Sequence, residues 1–204
     1  MSSSDAALPP IYLITPEPAS ASTVDLDAFV ARLDAALASG IALVQLRVKS
    51  IDTESFALLA ARVIEHAHRA NARVICNGPL APSDALTLGA DGVHLSQAAL
   101  LATQARPVPA AALLSAACHD RASLLHAQRI GADLVTLSPV KPTLTHPGAP
   151  AMGWTHFAAC VAALPHGDAM VAIYALGGMT RADLPQARAH GAHGVAGIRG
   201  FGGD

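Results

Sequence analysis

The stretch Gly131-Ala132-Asp133-Leu134-Val135-Thr136-Leu137 joins the end of a helical segment to an apolar, strand-like run. A glycine just past a helix adopts the left-handed cap conformation at little cost, and a turn of one to three residues then starts the next strand. Similar junctions occur at residues 40–42, 89–91 and 191–193. Because each junction returns the chain directly from a helix to a strand, we expect the strands to be mostly parallel.

Eight short apolar runs are predicted to be strands, separated by segments of helical period. The predicted strands are 11–15, 43–47, 73–77, 92–95, 112–118, 134–140, 171–176 and 194–198. The predicted helices are 25–38, 56–67, 81–88, 97–104, 120–130, 154–164 and 182–190, and the fourth of these is the weakest. Eight such units predict an α/β fold, a (β/α)8 TIM barrel, with a doubly wound open sheet as the alternative.

The composition fits a single folded domain. The 204 residues are near the short limit for one closed barrel, and 52% of them are apolar while 14% are charged. Residues 1–9 are expected to be a flexible N-terminal tail, residues 10–204 the barrel, and the last helix is expected to be truncated at Asp204. The net charge of -2 argues against nucleic-acid and anionic-membrane partners.

Neither an export signal nor an apolar run of about 18 residues is found, so we expect a cytoplasmic protein. The three cysteines, Cys76, Cys118 and Cys160, are widely spaced within apolar segments. This pattern predicts buried, reduced thiols rather than disulfides or a zinc cluster. The histidines show no metal-ligand spacing either, so no metal site is predicted.

The chain has only two lysines, Lys49 and Lys141, and each follows a strand-like run. In barrels of this class the reacting groups lie where parallel strands end, so two scarce cations at such positions suggest an anionic substrate. Gln45 and Arg47 precede Lys49 with a spacing of two, and the three side chains can therefore point the same way. The alternative is that the two cations are a solvated loop pair.

Paired glycines directly follow the seventh predicted strand. Gly177 and Gly178 would allow backbone N–H groups to approach an anion closely, and Ile198 with Arg199 ends the eighth strand beside them. The loops after strands seven and eight commonly hold a phosphate in such barrels. The alternative is a tight turn without a ligand. Thr180 and the acidic residue three positions later resemble a capping box at a helix start. Pro185 could instead place the first helical residue later, near residue 183.

Two further polar residues end predicted strands. Asn77 ends strand three, and His119 ends strand five, where a histidine is suited to carry a proton. His119 could instead be a hydrogen-bonded structural residue. His94, within strand four, is interpreted as a core histidine with a neighbouring partner. The loop 138–148 is rich in hydroxyls and proline, and it could cover the mouth or be a simple surface connection.

Four segments together resemble the thiamine phosphate synthase/TenI superfamily. They are Val44-Gln45-Leu46-Arg47-Val48-Lys49, Gly89-Ala90-Asp91-Gly92-Val93-His94-Leu95, Pro142-Thr143-Leu144-Thr145 and Ala175-Leu176-Gly177-Gly178-Met179-Thr180. The resemblance covers about residues 10–201 and implies a barrel that holds a thiazole phosphate at its strand ends. Residues 137–157 look most like the domain that is fused behind Nudix hydrolases in some bacterial proteins.

The resemblance also implies roles for individual residues. Gln45, Arg47 and Lys49 would address the pyrimidine or pyrophosphate, Asn77 the substrate, Thr143 and Thr145 an anion, and Gly178, Ile198 and Arg199 the thiazole phosphate. His146 stands where the synthase pattern has a lysine. Gly78 and Ala99 stand where that pattern has acidic residues, and carboxylates are the groups that hold Mg²⁺. Mg²⁺ is therefore expected only if the chain is a synthase.

From these departures we expect first a TenI-like thiazole tautomerase, an enzyme that needs neither a metal nor another cofactor. In this hypothesis His119 transfers the proton, and Arg47 and Lys49 bind the substrate. The first alternative is a thiamine phosphate synthase, which joins hydroxymethylpyrimidine pyrophosphate to thiazole phosphate with loss of pyrophosphate. The second is a non-catalytic domain that binds thiazole phosphate, with a Nudix hydrolase as a possible partner. A Schiff-base aldolase that uses Lys141 is the weakest of these hypotheses. The sequence leaves open whether the chain forms a homo-oligomer.

Overall fold

The computed structural model describes residues 7–143, 150–165 and 171–201. Eight parallel strands form a closed barrel in chain order. The strands are β1 Ile11–Ile14, β2 Leu43–Arg47, β3 Arg73–Asn77, β4 Gly92–Leu95, β5 Leu113–Cys118, β6 Leu134–Leu137, β7 Ala172–Ala175 and β8 Gly194–Gly197. Because β1 pairs with both β2 and β8, the TIM barrel is confirmed and the open doubly wound sheet is wrong.

Helices connect successive strands on the outside of the barrel. They are α1 Thr23–Ala38, α2 Thr53–Arg69, α3 Pro82–Thr87, α4 Gln97–Ala102, α5 Arg121–Arg129, α6 Gly153–Ala162 and α7 Leu184–Ala189. Four of them begin with a side-chain cap from Ser22, Asp52, Ser96 or Asp120. After β8 no helix begins before Phe201, and the expected truncation of a last helix falls on residues 202–204, outside the described part.

Several element boundaries differ from the sequence prediction by one to three residues, and two of these differences have a local cause. Strand β6 ends at Leu137 rather than at residue 140, because Pro139 has no N–H group to continue the ladder. The capping box of Thr180 and Asp183 is present, but it opens a 3-10 turn, Arg181–Asp183. The α-helix itself begins at Leu184 with Pro185 in its first turn, as the proline suggested.

The four repeated junctions have the expected conformation. Gly40, Gly89, Gly131 and Gly191 have φ angles of 89°, 97°, 76° and 88°. Two junctions carry an additional contact that the pattern did not predict. Asp91 and Asp133, the third residues of their junctions, each accept a backbone N–H, at 2.7 and 2.6 Å, from the second residue of the preceding strand. Each carboxylate thus anchors a junction to the neighbouring strand.

The barrel interior changes from apolar to polar along the strands. Tyr12 and Tyr174 are fully buried and pack edge to face, with ring centroids 5.4 Å apart. Leu43 of β2 belongs to the same inner cluster, and the next inward positions of β2 are Gln45 and Arg47. Because alternate residues of a strand face the same side, the strand runs from a packed core to a polar mouth.

Residues 7–9 of the expected tail contact the barrel through their main chain. The hydroxyl of Tyr174 donates to the Pro9 carbonyl at 2.6 Å, and His193 Nε2 donates to the Leu8 carbonyl at 2.7 Å. The domain boundary at residue 10 stays a prediction. All three cysteines are free and buried, as expected, and burial raises the pKa of Cys76 and of Cys118 to about 12.

Candidate functional site

A cavity of about 500 Å³ opens at the carboxyl ends of the strands. It gathers most of the residues that the sequence singled out, together with several that it did not. The lining residues are Ile14, Gln45, Arg47, Lys49, Asn77, His94, Ser96, Gln97, Ala117, His119, Thr136, Ser138, Pro139, Thr143, Leu176, Gly177 and Ile198. The prediction that strand two contributes three side chains to one mouth agrees with this lining.

A second cavity of about 210 Å³ adjoins the first beside β7 and β8. It is lined by Pro142, Thr143, Leu176, Gly177, Gly178, Met179, Gly197, Ile198 and Arg199. Thr143, Leu176, Gly177 and Ile198 line both cavities. The candidate phosphate-binding residues therefore lie together, in a compartment that shares one wall with the larger cavity.

A carboxylate that the sequence did not predict, Glu17, holds the Arg47 side chain and the backbone after β2. Glu17 forms an ion pair with Arg47, with 2.9 Å between Oε1 and the guanidinium nitrogen. It also accepts the backbone N–H groups of Lys49 and Ser50 and the Ser50 hydroxyl. Burial acts to raise the pKa of Glu17, but these hydrogen bonds lower it below its ordinary value. Glu17 therefore fixes the guanidinium and the loop after β2 at the mouth.

The two lysines have different environments. Lys49 lines the large cavity, and its ammonium forms neither a hydrogen bond nor an ion pair with any described residue. Desolvation, reinforced by the charge of Arg47, lowers the pKa of Lys49, while Glu17 acts in the opposite direction. Lys141 instead donates to Asp183 Oδ1 at 2.6 Å and does not line the cavity. Lys49 is therefore the lysine available to an anion in the large cavity. The ion pair with Asp183 argues against a Schiff-base role for Lys141.

Neutral polar groups form the floor of the large cavity. Gln45 is buried, and its Oε1 accepts the amide N–H of Asn77 at 2.7 Å. Its Nε2 donates to the hydroxyl of Tyr12 at 3.0 Å. His94, interpreted from the sequence as a core histidine, belongs to the same network and lines the cavity. Its place on the fourth strand of a predicted barrel, one residue before the strand ends, was the signal that could have identified it.

His119 stands at the rim with a defined hydrogen-bond partner. Its Nδ1 lies 2.8 Å from the Ser138 carbonyl oxygen, which can only accept, so Nδ1 carries a proton. In the neutral ring Nε2 is then the free acceptor. The backbone N–H of His119 donates to Ser123 Oγ at 3.1 Å, which fixes the turn between β5 and α5. The imidazole is thus held in one orientation just after the end of β5.

The glycine pair allows the loop after β6 to pack closely. Gly177 and Gly178 have φ angles of 99° and 64°, and a Cβ on either would lie 2.8 Å from an atom of Pro139 or Pro142. Val140 N–H also donates to the Leu176 carbonyl at 2.9 Å. The glycines therefore have a packing role as well as lining the smaller cavity. Two other expected site residues, Thr145 and His146, lie outside the described residues.

The donor set does not fit the Mg²⁺ that a synthase-type site would imply. No Asp or Glu is among the described residues that line either cavity. A Cβ on Gly78 would lie 2.2 Å from the ring of Phe56, which is fully buried, so an acidic side chain has no room there. Ala99 packs partly buried against the apolar core. The described residues also contain no group of three His, Cys, Asp or Glu side chains that could hold a metal.

Comparison with known proteins identifies the family. The profile TMP-TENI, described as thiamine monophosphate synthase, matches residues 11–201. The chain belongs to this family. A putative thiamine-phosphate synthase of Geobacter sulfurreducens is 35% identical over 168 residues, which is 82% of this chain and 76% of the relative. A thiamine-phosphate synthase of Thermus thermophilus is 32% identical over 190 residues, which is 93% of this chain and 87% of the relative.

A solved structure has the same fold. Thiamine phosphate pyrophosphorylase from Pyrococcus furiosus superposes with a TM-score of 0.69 at 21% identity, over 92% of this chain and 84% of that one. Within the described residues, no helix combines the length and apolarity that a bilayer crossing requires. The cytoplasmic location, the Nudix partner and the homo-oligomer stay predictions.

The contact between Gly78 and Phe56 can be tested by stability measurements. Gly78→Ala is expected to lower the free energy of unfolding by about 1–3 kcal/mol, since its Cβ collides with a ring that has no free space to move into. The measurement is urea unfolding of wild type, Gly78→Ala, Phe56→Leu and the double variant. In the double variant the cost of the alanine should largely disappear. Equal costs in both backgrounds would contradict the proposed clash.

Proposed function

We propose that this chain is a thiamine-phosphate synthase in which side-chain cations, rather than Mg²⁺, contact the pyrophosphate. The Thermus thermophilus relative, 32% identical and with most of both chains aligned, carries this name. The proposed reaction joins a hydroxymethylpyrimidine pyrophosphate to a thiazole phosphate. The thiazole nitrogen bonds to the pyrimidine methylene carbon, the bond from that carbon to oxygen breaks with its electron pair, and pyrophosphate leaves.

The observation that carries this proposal is the pair of adjoining cavities. A reaction between two substrates needs two compartments that meet where the new bond forms, and binding both partners in reach of each other removes much of the entropic cost. The cavities of about 500 and 210 Å³ share four lining residues. The larger would hold the pyrimidine pyrophosphate, and the smaller the phosphate of the thiazole.

The charges are distributed to suit this arrangement. Arg47 and Lys49 line the larger cavity, and Arg199 lines the smaller one. Lys49 makes no ion pair with a described residue, so its ammonium is available to contact the leaving pyrophosphate. A cation held beside a leaving group stabilises the charge that develops there, and it does so most effectively where water is partly excluded. Arg47 contributes less charge, since Glu17 balances it.

Replacement of Lys49 tests the synthase. In an assay with both heterocyclic substrates, Lys49→Ala is expected to lower thiamine phosphate formation by about 100-fold, since no other lysine lines the cavity among the described residues. The matched control is Arg62→Ala, which removes a cation that pairs with Asp27 on the outer helices and should change turnover little. The assay is run with Mg²⁺ and with a chelator. If the wild type forms no thiamine phosphate under either condition, the synthase proposal is wrong.

A thiazole tautomerase is the second candidate, and the geometry of His119 favours it. Its Nδ1–H donates to the Ser138 carbonyl, so Nε2 is left to take a proton from a substrate and return it. This reaction involves one substrate and no leaving pyrophosphate. It is therefore compatible with cavities whose described lining lacks carboxylates.

His119 variants distinguish this second candidate. His119→Asn should reduce isomerisation of a thiazole carboxylate phosphate by at least about 100-fold, because the amide cannot act as a base, while phosphate binding measured by calorimetry stays nearly unchanged. His156→Asn, on the outer helix α6, is the matched control. Unaltered isomerisation in His119→Asn would exclude this mechanism. Uptake of thiazole phosphate by the wild type with neither reaction would instead support a non-catalytic binding domain.

A further inference from the structure

The ion pair of Lys141 and Asp183 joins two loops that both line the smaller cavity. Lys141 belongs to the loop after β6, which contributes Pro142 and Thr143 to the lining, and Asp183 closes the 3-10 turn that follows the paired glycines. Lys141 Nζ lies 2.6 Å from Asp183 Oδ1, and only 13% of the Asp183 side chain is exposed. Neither charged residue lines either of the two cavities, so the pair acts on a ligand only through its neighbours.

The second oxygen of Asp183 holds the turn after β7. Oδ2 accepts the backbone N–H of Thr180 at 3.0 Å and the Thr180 hydroxyl at 3.2 Å. Thr180 directly follows Met179, which lines the smaller cavity. Burial acts to raise the pKa of Asp183, but these hydrogen bonds and the charge of Lys141 lower it below its ordinary value. One ionised carboxylate therefore connects the lysine to the turn.

The two loops are also in direct backbone contact. The N–H of Lys141 donates to the Gly177 carbonyl at 3.1 Å. A Cβ on Gly178 would lie 2.9 Å from Lys141 Cβ and 2.8 Å from the Pro142 carbonyl oxygen, so no space separates the loops there. Thr143 comes next in the chain and lines both cavities. A displacement of this loop from the glycines would therefore change the shape of the smaller cavity and its wall with the larger one.

The ion pair also balances charge beside the candidate phosphate-binding residues. Arg199 is the cation among the described residues that line the smaller cavity. Without Lys141, the carboxylate of Asp183 would have no counter-charge and would oppose the attraction of an anion to Arg199. Partly buried charges are screened by salt less than exposed ones, so this opposition would persist at physiological ionic strength.

We propose that Lys141 and Asp183 are a positioning pair, which holds the loop after β6 against the paired glycines and keeps the smaller cavity in the shape and charge that receive a phosphate monoester. The identity of that ester as thiazole phosphate rests on the proposed function. The pair acts through Thr143 and Gly178, which line the cavity, and it does not touch the substrate itself.

Calorimetry with thiazole phosphate, and separately with inorganic pyrophosphate, tests the pair. Lys141→Met removes the charge but keeps most of the side-chain length, and it is expected to weaken thiazole phosphate binding by about tenfold. Pyrophosphate, which is expected beside Lys49, should bind within about twofold of the wild-type affinity. Lys141→Arg keeps the charge and should stay within about threefold for both ligands.

The matched control is Arg62→Met. It breaks an ion pair of the same length, 2.6 Å, between Arg62 and Asp27 on the outer helices. Both affinities should be unchanged in this variant, because an exposed pair remote from the cavities contributes little. Unchanged thiazole phosphate affinity in Lys141→Met would overturn the inference.

A double variant shows whether the lysine acts through Asp183. Asp183→Asn removes the charge but keeps an oxygen that can accept from Thr180. In this background Lys141→Met should weaken thiazole phosphate binding by no more than about threefold, because no carboxylate is left without its partner. A tenfold loss in both backgrounds would mean that Lys141 acts on the phosphate directly, and the positioning role would be wrong.

Kinetics separate the inference from the proposed function. With both heterocyclic substrates, Lys141→Met should raise KM for thiazole phosphate by about tenfold, while kcat and KM for the pyrimidine pyrophosphate stay nearly unchanged. A fall in kcat with both KM values raised would indicate a general structural defect and would contradict the positioning role. If the wild type binds thiazole phosphate but forms no product, the synthase fails and the binding data still decide the inference. If it does not bind thiazole phosphate, both fail.

Discussion

All eight strands run in one direction around a closed ring, and the site depends on this constraint. Pairing of β1 with β8 brings the last strand back to the first, so every strand ends at the same mouth. Gln45, Asn77 and His119, which lie up to 74 positions apart in the chain, thereby line one cavity. An open sheet would leave its first and last strand ends far apart. The junctions that return each helix to the sheet maintain this parallel order.

The mouth separates neutral polar groups from charged ones. Gln45, Asn77 and His94 form an uncharged network in the interior, while Arg47 and Lys49 lie further along β2. Glu17 pairs with Arg47, and Lys49 forms no ion pair with a described residue. This separation gives a heterocycle and its phosphates different environments within one opening. It also explains how an anion could be held by cavities whose described walls contain no carboxylate for a metal.

Local sequence signals predicted the architecture well, and tertiary contacts account for what they missed. Glycine junctions and apolar runs depend on a few adjacent residues, and all eight strands occur as expected. The pairing of Glu17 with Arg47 and of Lys141 with Asp183 joins residues 30 and 42 positions apart. The ring of Phe56 beside Gly78 is equally invisible in a linear pattern. Of the two lysines at strand ends, Lys49 lines the large cavity, whereas Lys141 pairs with Asp183.

The most direct test of two adjoining subsites is a crystal structure of the chain with thiazole phosphate and inorganic pyrophosphate bound together. The thiazole's phosphate is expected in the smaller cavity beside Gly178 and Arg199, and pyrophosphate against Lys49 in the larger one, without an intervening metal. Pyrophosphate bound away from Lys49, or both anions at one position, would contradict it.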